Sequence, residues 1–400
     1  MRILFISPSW PGGTAFGGQI RATHIARALQ QIGSVSVLMV SEDWNEPESR
    51  KKCAEEFRVL PPVCPKPSLN RGLDTRLRRA FDPRFLDLHG MCIEEADRER
   101  ILTESRRHDF TWIIHSRTPS IIGEWNWPKT HLDIDDIPST YLQTVSSTSR
   151  SKTTRLKTAF QAKLMKRREL TWVHRFTTLS VCSEPDRTYL GKPETLHVIP
   201  NGFTKPQSQP VRSPTRNPFR IGFIGLFSYT PNREGVQWFI RECWSAIRAS
   251  CPNVRLRLVG RGSDVADYAA TPGVEPLGWI ADPESEISTW SAMVIPIRSG
   301  GGTRIKIAEA FSRRCPVVST SVGAYGYQVT TGEELLIADT PNNFAQACIS
   351  LLSGESLGNK VAENAWQRFV RDWTWEAIAP KVIAAGEDCM RRAAGGRTQA

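Results

Sequence analysis

Four hundred residues exceed what one ordinary hydrophobic core supports, so two domains are expected. Hydrophobic residues at 40% with 23% charged residues exclude a fibrous or disordered chain. The formal charge of +11 comes with no helix-turn-helix, zinc finger or aromatic RNA-binding motif, so no nucleic-acid partner is expected, and nine cysteines without a CxxC pair argue against a disulfide framework or a zinc site.

The chain opens with a predicted strand, Arg2–Ser7, whose apolar run Ile3-Leu4-Phe5-Ile6 is too short to span a membrane or to serve as a signal peptide. A reducing cytoplasm is the expected home. A Pro/Gly-rich loop from Pro8 to Gly18 leads into a helix over residues 19–31, with Ile20, Ile25, Ala28 and Leu29 on its apolar face. A strand at Val35–Val40 completes a βαβ opening, the mark of a parallel doubly wound sheet. Residues 43–105 are polar and interrupted by prolines, and no element is placed there. Strands follow at Phe110–His115, His131–Asp135 and Phe176–Val181, and a short strand and turn at His197–Gly202.

Between the strands His131–Asp135 and Phe176–Val181 the positive charge is concentrated in Arg150, Lys152, Arg155, Lys157, Lys163, Lys166, Arg167 and Arg168. Leu156, Phe160, Leu164 and Met165 recur there at roughly helical spacing, so residues 150–168 read as a basic amphipathic helix. Two readings stand. The helix lies on an anionic membrane surface, or it packs its apolar stripe against its own domain.

Residues 205–218 contain four prolines and little hydrophobicity, the composition of a linker. The α/β pattern then restarts with a strand at Arg220–Gly225, a helix at Arg233–Ala249 and a strand at Val254–Val259 that ends in Gly260-Arg261-Gly262. Trp238, Trp244 and Trp290 fall in periodic segments and read as core. The last helix is expected at Trp375–Arg392.

The chemistry is concentrated in Gly300-Gly301-Gly302-Thr303-Arg304-Ile305-Lys306-Ile307-Ala308-Glu309-Ala310. A glycine run lets backbone N–H groups approach a ligand, and the helix it feeds favours an anion at its N-terminus. Arg304 and Lys306 add two cations, and Glu309 offers a carboxylate for sugar hydroxyls. Taken alone, the glycines could serve only to start a helix, and Lys306 with Glu309 only to form a surface ion pair worth roughly 0.2–0.5 kcal/mol. The flanks weigh against that. Apolar strands at Ser291–Ile297 and Cys315–Thr320 put the loop at the carboxyl end of a strand, where open α/β sheets bind ligands.

With these residues in view, the chain resembles the retaining glycosyltransferases of family 4, the glycosyl transferases group 1 type, which have the two-domain GT-B fold. The segment 300–310, followed by Pro316–Ala324, fits that family's donor motif. Val181–Glu184 and Val198–Gly202 are similar to its elements before the linker, and Gly17, Gly18 and Arg21 to its N-terminal glycine loop. The resemblance implies two Rossmann-like α/β domains facing a central cleft. Residues 1–204, joined by the C-terminal helix at about 375–400, would form the acceptor-binding domain. Residues 205–218 would be the linker, and 219–374 the donor-binding domain.

It further implies that Arg304, Lys306 and the amides of Gly301, Gly302 and Thr303 contact the diphosphate of a nucleotide-sugar, while Glu309 holds the ribose. Gly278, Trp279 and Ile280 would meet the base. Gly225 and Asn232 would line the same site. Gly17, Gly18 and Arg21 would form an acceptor or phosphate loop. Two cations facing the diphosphate can take the place of a metal, so neither metal nor cofactor is expected, and Asp133-Ile134-Asp135 reads as a strand end.

Two positions depart from the pattern. A carboxylate common in the family eight residues before Glu309 is replaced by Gly301. Its functional histidine at the end of the strand His131–Asp135 is replaced by Asp135, which either takes part in catalysis or, with Asp136, caps the next helix. His115 is a second strand-end candidate, so the catalytic set is Asp135, His115, Arg304 and Lys306. The expected function is transfer of a hexosyl or other glycosyl group from a nucleoside-diphosphate sugar to an acceptor such as a glycan or a lipid-linked sugar, with retention of configuration. Polysaccharide biosynthesis is the expected setting, in the cytoplasm or peripheral on the inner membrane face. A degenerate nucleotide-sugar-binding protein and a GT-B sugar-nucleotide epimerase are the alternatives.

Overall fold

A computed structural model describes residues 1–13, 17–42, 47–67, 91–124, 126–149, 151–264, 268 and 270–395. It divides into two compact units, Met1–Pro200 with Ile378–Ala400, and Asn201–Ala377.

The first unit is built on β1 (Arg2–Ser7), β2 (Ser34–Met39), β3 (Arg58–Val59), β6 (Phe110–Ile114), β7 (Trp127–Asp133), β8 (Phe176–Val181) and β9 (Leu196–Val198), with a small hairpin of β4 (Lys66–Pro67) and β5 (Met91–Cys92). The large sheet has the order β3-β2-β1-β6-β7-β8-β9 and every pairing in it is parallel. Helices cover both faces of a parallel sheet, so its strands are apolar throughout rather than alternating. β1 and β2 fit this: after one exposed first residue each, all five that follow are buried. The first helix, Gly17–Gln30, turns Ala22, Ile25, Ala26 and Leu29 inward. Expected strand positions hold to within a few residues, except that β7 starts at Trp127 and stops at Asp133.

The unplaced region contains helices Pro47–Glu56 and Glu95–Arg107. The second buries only Ile101 and is laced by Arg98–Glu95, Arg100–Asp97 and Arg107–Glu104 pairs one turn apart, so it has no apolar periodicity to read. The basic stretch is the helix Lys152–Trp172, and Arg150 at its head lies outside the described residues. Its inner face is Thr158, Ala162, Met165, Glu169 and Trp172. The expected apolar stripe is divided between two faces: Met165 is buried, while Leu156 and Phe160 point to solvent, 75% and 60% exposed.

The second unit carries β10 (Arg220–Ile224), β11 (Arg255–Val259), β12 (Val274–Gly278), β13 (Ala292–Ile295), β14 (Val317–Ser319) and β15 (Leu336–Ile337). Their order is β12-β11-β10-β13-β14-β15, again all parallel. Trp238, Trp244 and Trp290 lie in its core with Phe223, Phe239 and Phe311. The helix over 230–250 includes a π turn at Phe239–Cys243. Segment 205–218, expected as a linker, is bonded into this unit rather than free: Ser213 N and Thr215 N donate to Ser288 O and Thr289 O, both at 3.0 Å. The last helix, Trp375–Gly395, belongs to the first unit from Ile378, and positions 396–400 of the expected 375–400 element lie outside the described residues.

Candidate functional site

In the second unit the chain leaves β10 toward β11 on one side and returns to β13 on the other, so the strand order reverses between β10 and β13. Open α/β sheets form a ligand crevice outside the carboxyl ends at such a point. Gly225 follows β10, Gly260 follows β11, Gly278 ends β12, and the glycine loop follows β13. These ends are close-packed backbone. A Cβ on Gly260, which has φ +123°, would meet Gly225 O at 2.0 Å.

Gly225, Asn232 and Lys306 come together here. A Cβ on Gly225 would sit 2.9 Å from Lys306 Nζ and 3.0 Å from Asn232 Nδ2. Asn232 is 3% exposed and donates to Leu226 O at 2.8 Å, which pins the turn after β10. Gly225 therefore leaves room for the lysine. Lys306 lies on the first turn of the helix Ile305–Ser312, whose Ile307, Ala308, Ala310 and Phe311 are buried. The ammonium makes no hydrogen bond or ion pair among the described residues, and the Phe223 ring is 5.6 Å away. Burial pulls it down to about 8, with Glu309 opposing and Arg304 reinforcing the shift. Glu309 pairs instead with Arg313 at 3.0 Å, one turn on, so the surface pair with Lys306 does not form.

Arg304 closes the loop on itself. Its Nη1 donates to Gly301 O at 2.8 Å and its Nη2 lies 3.5 Å from Ser299 O, while Nε is buried without a hydrogen-bond partner. Tyr327 Oη donates to Arg304 O at 2.9 Å, and Asn201 Nδ2 to Thr303 Oγ1 at 3.0 Å. Gly300 has φ +124°, and a Cβ there would lie 2.3 Å from Arg304 Nη2. Gly300→Ala combines backbone strain with displacement of the guanidinium. The expected result is at least a roughly tenfold weaker binding of a nucleoside diphosphate by calorimetry, since misplacing one binding group is enough for such a loss. Unchanged affinity would mean the loop geometry does not position Arg304. At the far rim Trp279 is 66% exposed beside Gly278, and Ile280 packs partly on the core.

In the first unit, both candidates at the strand ends sit in strained backbone. His115, just past β6, has φ +70°, and Asp135, two residues past β7, has φ +60°. Non-glycine residues at left-handed φ are uncommon and cluster at functional sites. His115 Nδ1 accepts from Arg117 N at 3.2 Å and borders a cavity of about 300 Å³ that also involves Pro8, Ser41, Glu42 and Arg117. Asp135 Oδ1 accepts from Cys182 Sγ at 3.1 Å, and Arg21 Nε is 3.8 Å away. Burial pushes the Cys182 thiol well up, so it stays the proton donor in that contact. Asp135 and Asp136 do not cap the following helix, whose N-cap is Ile137.

Arg21 is the main correction. Gly17 and Gly18 do stand at the N-terminus of the first helix, but Arg21 is fully buried one turn further in. Its Nε and Nη2 hold both Asp133 oxygens at 2.8 and 2.7 Å, and Nη1 donates to Ile199 O at 3.1 Å. It is a structural ion pair joining the first helix to β7, not a phosphate contact. Asp133, also bonded by Ser180 Oγ at 2.8 Å, is committed to the same network. The sequence reading missed this pair because residues 112 apart share no motif. Gly260 was noted only as a strand end, and its close approach to Gly225 has no local signature.

Residues 218–354 match the family Glycosyl transferases group 1. An uncharacterized 44.6 kDa protein in the cps region of Klebsiella pneumoniae is 23% identical over 177 residues, which are 39% of this chain and 46% of that one. The matched part thus spans about half the length of that curated relative. Among solved structures, sucrose-phosphate synthase of Thermosynechococcus elongatus is similar at a TM-score of 0.67 and 16% identity, covering 98% of this chain and 99% of that one. HepE of Anabaena, solved in complex with UDP and glucose, is similar at 0.61 and 16%, covering 96% and 98%. At such identity the structures speak to the fold alone. The chain has the GT-B fold, and its residues 218–354 match the family Glycosyl transferases group 1.

Proposed function

We propose that this protein transfers a sugar from a nucleoside-diphosphate sugar, bound by the second unit, to a glycan or lipid-linked acceptor, with retention of configuration and without a metal ion. The observation that carries the reading is the convergence of Gly225, Asn232 and Lys306 beside the Arg304 loop, at the point where the strand order reverses. The diphosphate would take Lys306, the free donor of Arg304 and the amides of Gly301, Gly302 and Thr303. Glu309 would accept from the ribose, and Gly278, Trp279 and Ile280 would border the base. As the glycosidic bond breaks, the leaving diphosphate gains negative charge, which two fixed cations stabilise more than they stabilise the bound donor. The donor's own phosphate oxygen would take the acceptor proton on the same face, which is the route to retention. HepE has been solved with UDP and with UDP-glucose, which makes a UDP-sugar the first donor to try.

In the first unit Asp135 would hold or polarise the acceptor hydroxyl, its carboxylate already set by Cys182 and Arg21. His115 would contact the acceptor from the neighbouring strand end. Asp135→Asn should keep UDP affinity within about twofold and lower turnover on the order of a hundredfold, the cost of misplacing one reacting group. The basic helix Lys152–Trp172 would rest on an anionic membrane surface, placing the protein in the cytoplasm, peripheral on the inner face.

The test is a scan of UDP-sugars against candidate acceptors in the presence of a chelator, with nucleotide release measured and the anomeric proton coupling of the product read by NMR. Retained configuration in chelator supports the reading. Inverted product or an absolute need for a divalent ion overturns the corresponding part. One observation favours a second reading, a nucleotide-sugar-binding protein without turnover: no carboxylate stands at Gly301. Saturable UDP-sugar binding with no hydrolysis or transfer would favour it, and exchange between two UDP-sugars without an acceptor would favour an epimerase.

A further inference from the structure

The helix Lys152–Trp172 carries a surface the donor chemistry does not use. Residues 156, 160, 163, 167 and 170 fall on one stripe of a helix with 3.6 residues per turn. Leu156, Phe160 and Leu170 in that stripe are 75%, 60% and 42% exposed, and the side chains between them are the exposed Lys163 and Arg167. Large apolar groups alternating with cations suit an interface where hydrocarbon lies below a layer of phosphates.

Beside the stripe, toward the helix Pro138–Thr148, is a cavity of about 340 Å³. Arg155, Lys163 and Lys166 line it from one helix, and Gln143, Ser146 and Ser147 from the other. No carboxylate lines it among the described residues. The only acidic side chain on this stretch of helix that faces the neighbouring one, Glu169, is fully buried, accepting from Ser139 N and Oγ. Lys166 is held with its ammonium 4.2 Å over the Tyr189 ring, and Gln143 Nε2 donates to Tyr189 Oη at 3.0 Å, so the floor of the cavity is fixed by its own contacts.

We infer that the cavity between these two helices binds the phosphate of an anionic phospholipid headgroup while Leu156 and Phe160 enter the acyl boundary beside it. This rests on the peripheral-membrane part of the reading above and gives it a specific site. Three cations converge on one cavity, the Ser146 and Ser147 hydroxyls are spent on Arg155 O and Thr144 O so that the second amide hydrogen of Gln143 is the neutral donor beside them, and the apolar side chains stand on the adjoining stripe of the same helix. A nucleic acid would share the phosphate chemistry, but two of the three exposed apolar side chains are leucines, which offer bases no ring to stack on.

The experiment is co-sedimentation of the full chain with vesicles of phosphatidylcholine alone or mixed with phosphatidylglycerol, with glycerol phosphate at constant ionic strength as a soluble competitor. Binding should require phosphatidylglycerol and be reversed by glycerol phosphate. Arg155→Gln with Lys163→Gln should weaken it roughly tenfold or more, as expected for two cations near an anionic surface. Leu156→Ser with Phe160→Ser should weaken it similarly, while both variants keep the wild-type denaturant transition of the first unit, which reports an intact fold there. Undiminished vesicle binding by the Arg155/Lys163 variant would overturn the headgroup site and leave a general membrane contact. Glycerol phosphate binding by a protein that binds no vesicle would assign a free phosphate ligand instead, and displacement from vesicles by an oligonucleotide a nucleic acid. Failure to bind any vesicle would overturn the site together with the peripheral reading.

Discussion

Lys306→Met abolishes the thermal shift with UDP-sugars and lowers kcat/KM by on the order of a hundred- to a thousandfold, the usual cost of removing one preorganised group from a developing charge. The lysine is partly buried, faces Gly225 and Asn232, and has no ion-pair partner among the described residues. Its charge is therefore available for a ligand rather than spent on a neighbour. The same placement gives a pH signature. Burial holds the ammonium at about 8, below its ordinary value, so the free site carries full charge only below that pH. UDP affinity should be flat below pH 8 and fall by up to about tenfold per unit above it, with the midpoint moved upward in the complex because the diphosphate favours the charged form.

The stability effect has the opposite sign. A lysine whose folded value is depressed penalises the native state while it is charged, and the penalty is relieved as pH rises from about 8 toward the unfolded value of about 10.4. Wild type should thus gain stability relative to Lys306→Met over that window while losing UDP affinity. A methionine variant that binds UDP like wild type, or an affinity that does not change above pH 8, would remove Lys306 from the site.

Arg21→Ala should cost about 3–5 kcal/mol in the first unit, because it strands a buried carboxylate. Arg21 and Asp133 are 1% and 0% exposed, and after the substitution the Ser180 hydroxyl is the one side-chain donor left on Asp133 Oδ1 among the described residues. The loss also frees Ile199 O and Pro200 O, so the end of the first unit loosens with the first helix. Denaturant unfolding followed by tryptophan fluorescence should show an early transition for the first unit, with the UDP shift of the second unit retained. Replacing both partners by apolar residues, Arg21→Met with Asp133→Leu, should recover much of the loss. A loss below about 1 kcal/mol for Arg21→Ala would mean water or another group satisfies Asp133, and would reopen a ligand-binding role for the arginine.

What was legible in the sequence follows from what is local. β1 and β13 are short apolar runs buried along nearly their whole length, and the donor loop is one contiguous segment whose glycines, cations and carboxylate all lie within Gly300–Glu309. The helix Glu95–Arg107 was illegible because it is held by charge pairs and buries one residue. Arg21 was misassigned because an arginine after a glycine loop has the composition of an anion site, and only its pairing with distant Asp133 shows otherwise. Whether Leu156 and Phe160 face a membrane or their own domain stays open in the sequence, because helical spacing reveals a stripe without telling which side faces the domain. The left-handed φ of His115 and Asp135 has no sequence signal, since neither is glycine.

The central claim is that the crevice between β10 and β13 binds the diphosphate of a nucleotide-sugar. Calorimetric titration of the full chain with UDP and UDP-glucose in chelator tests it most directly. One saturable site is expected, lost in Arg304→Ala and in Glu309→Ala while both variants unfold at the wild-type denaturant midpoint. Absence of binding by any nucleoside diphosphate, or binding that survives both substitutions, would contradict it.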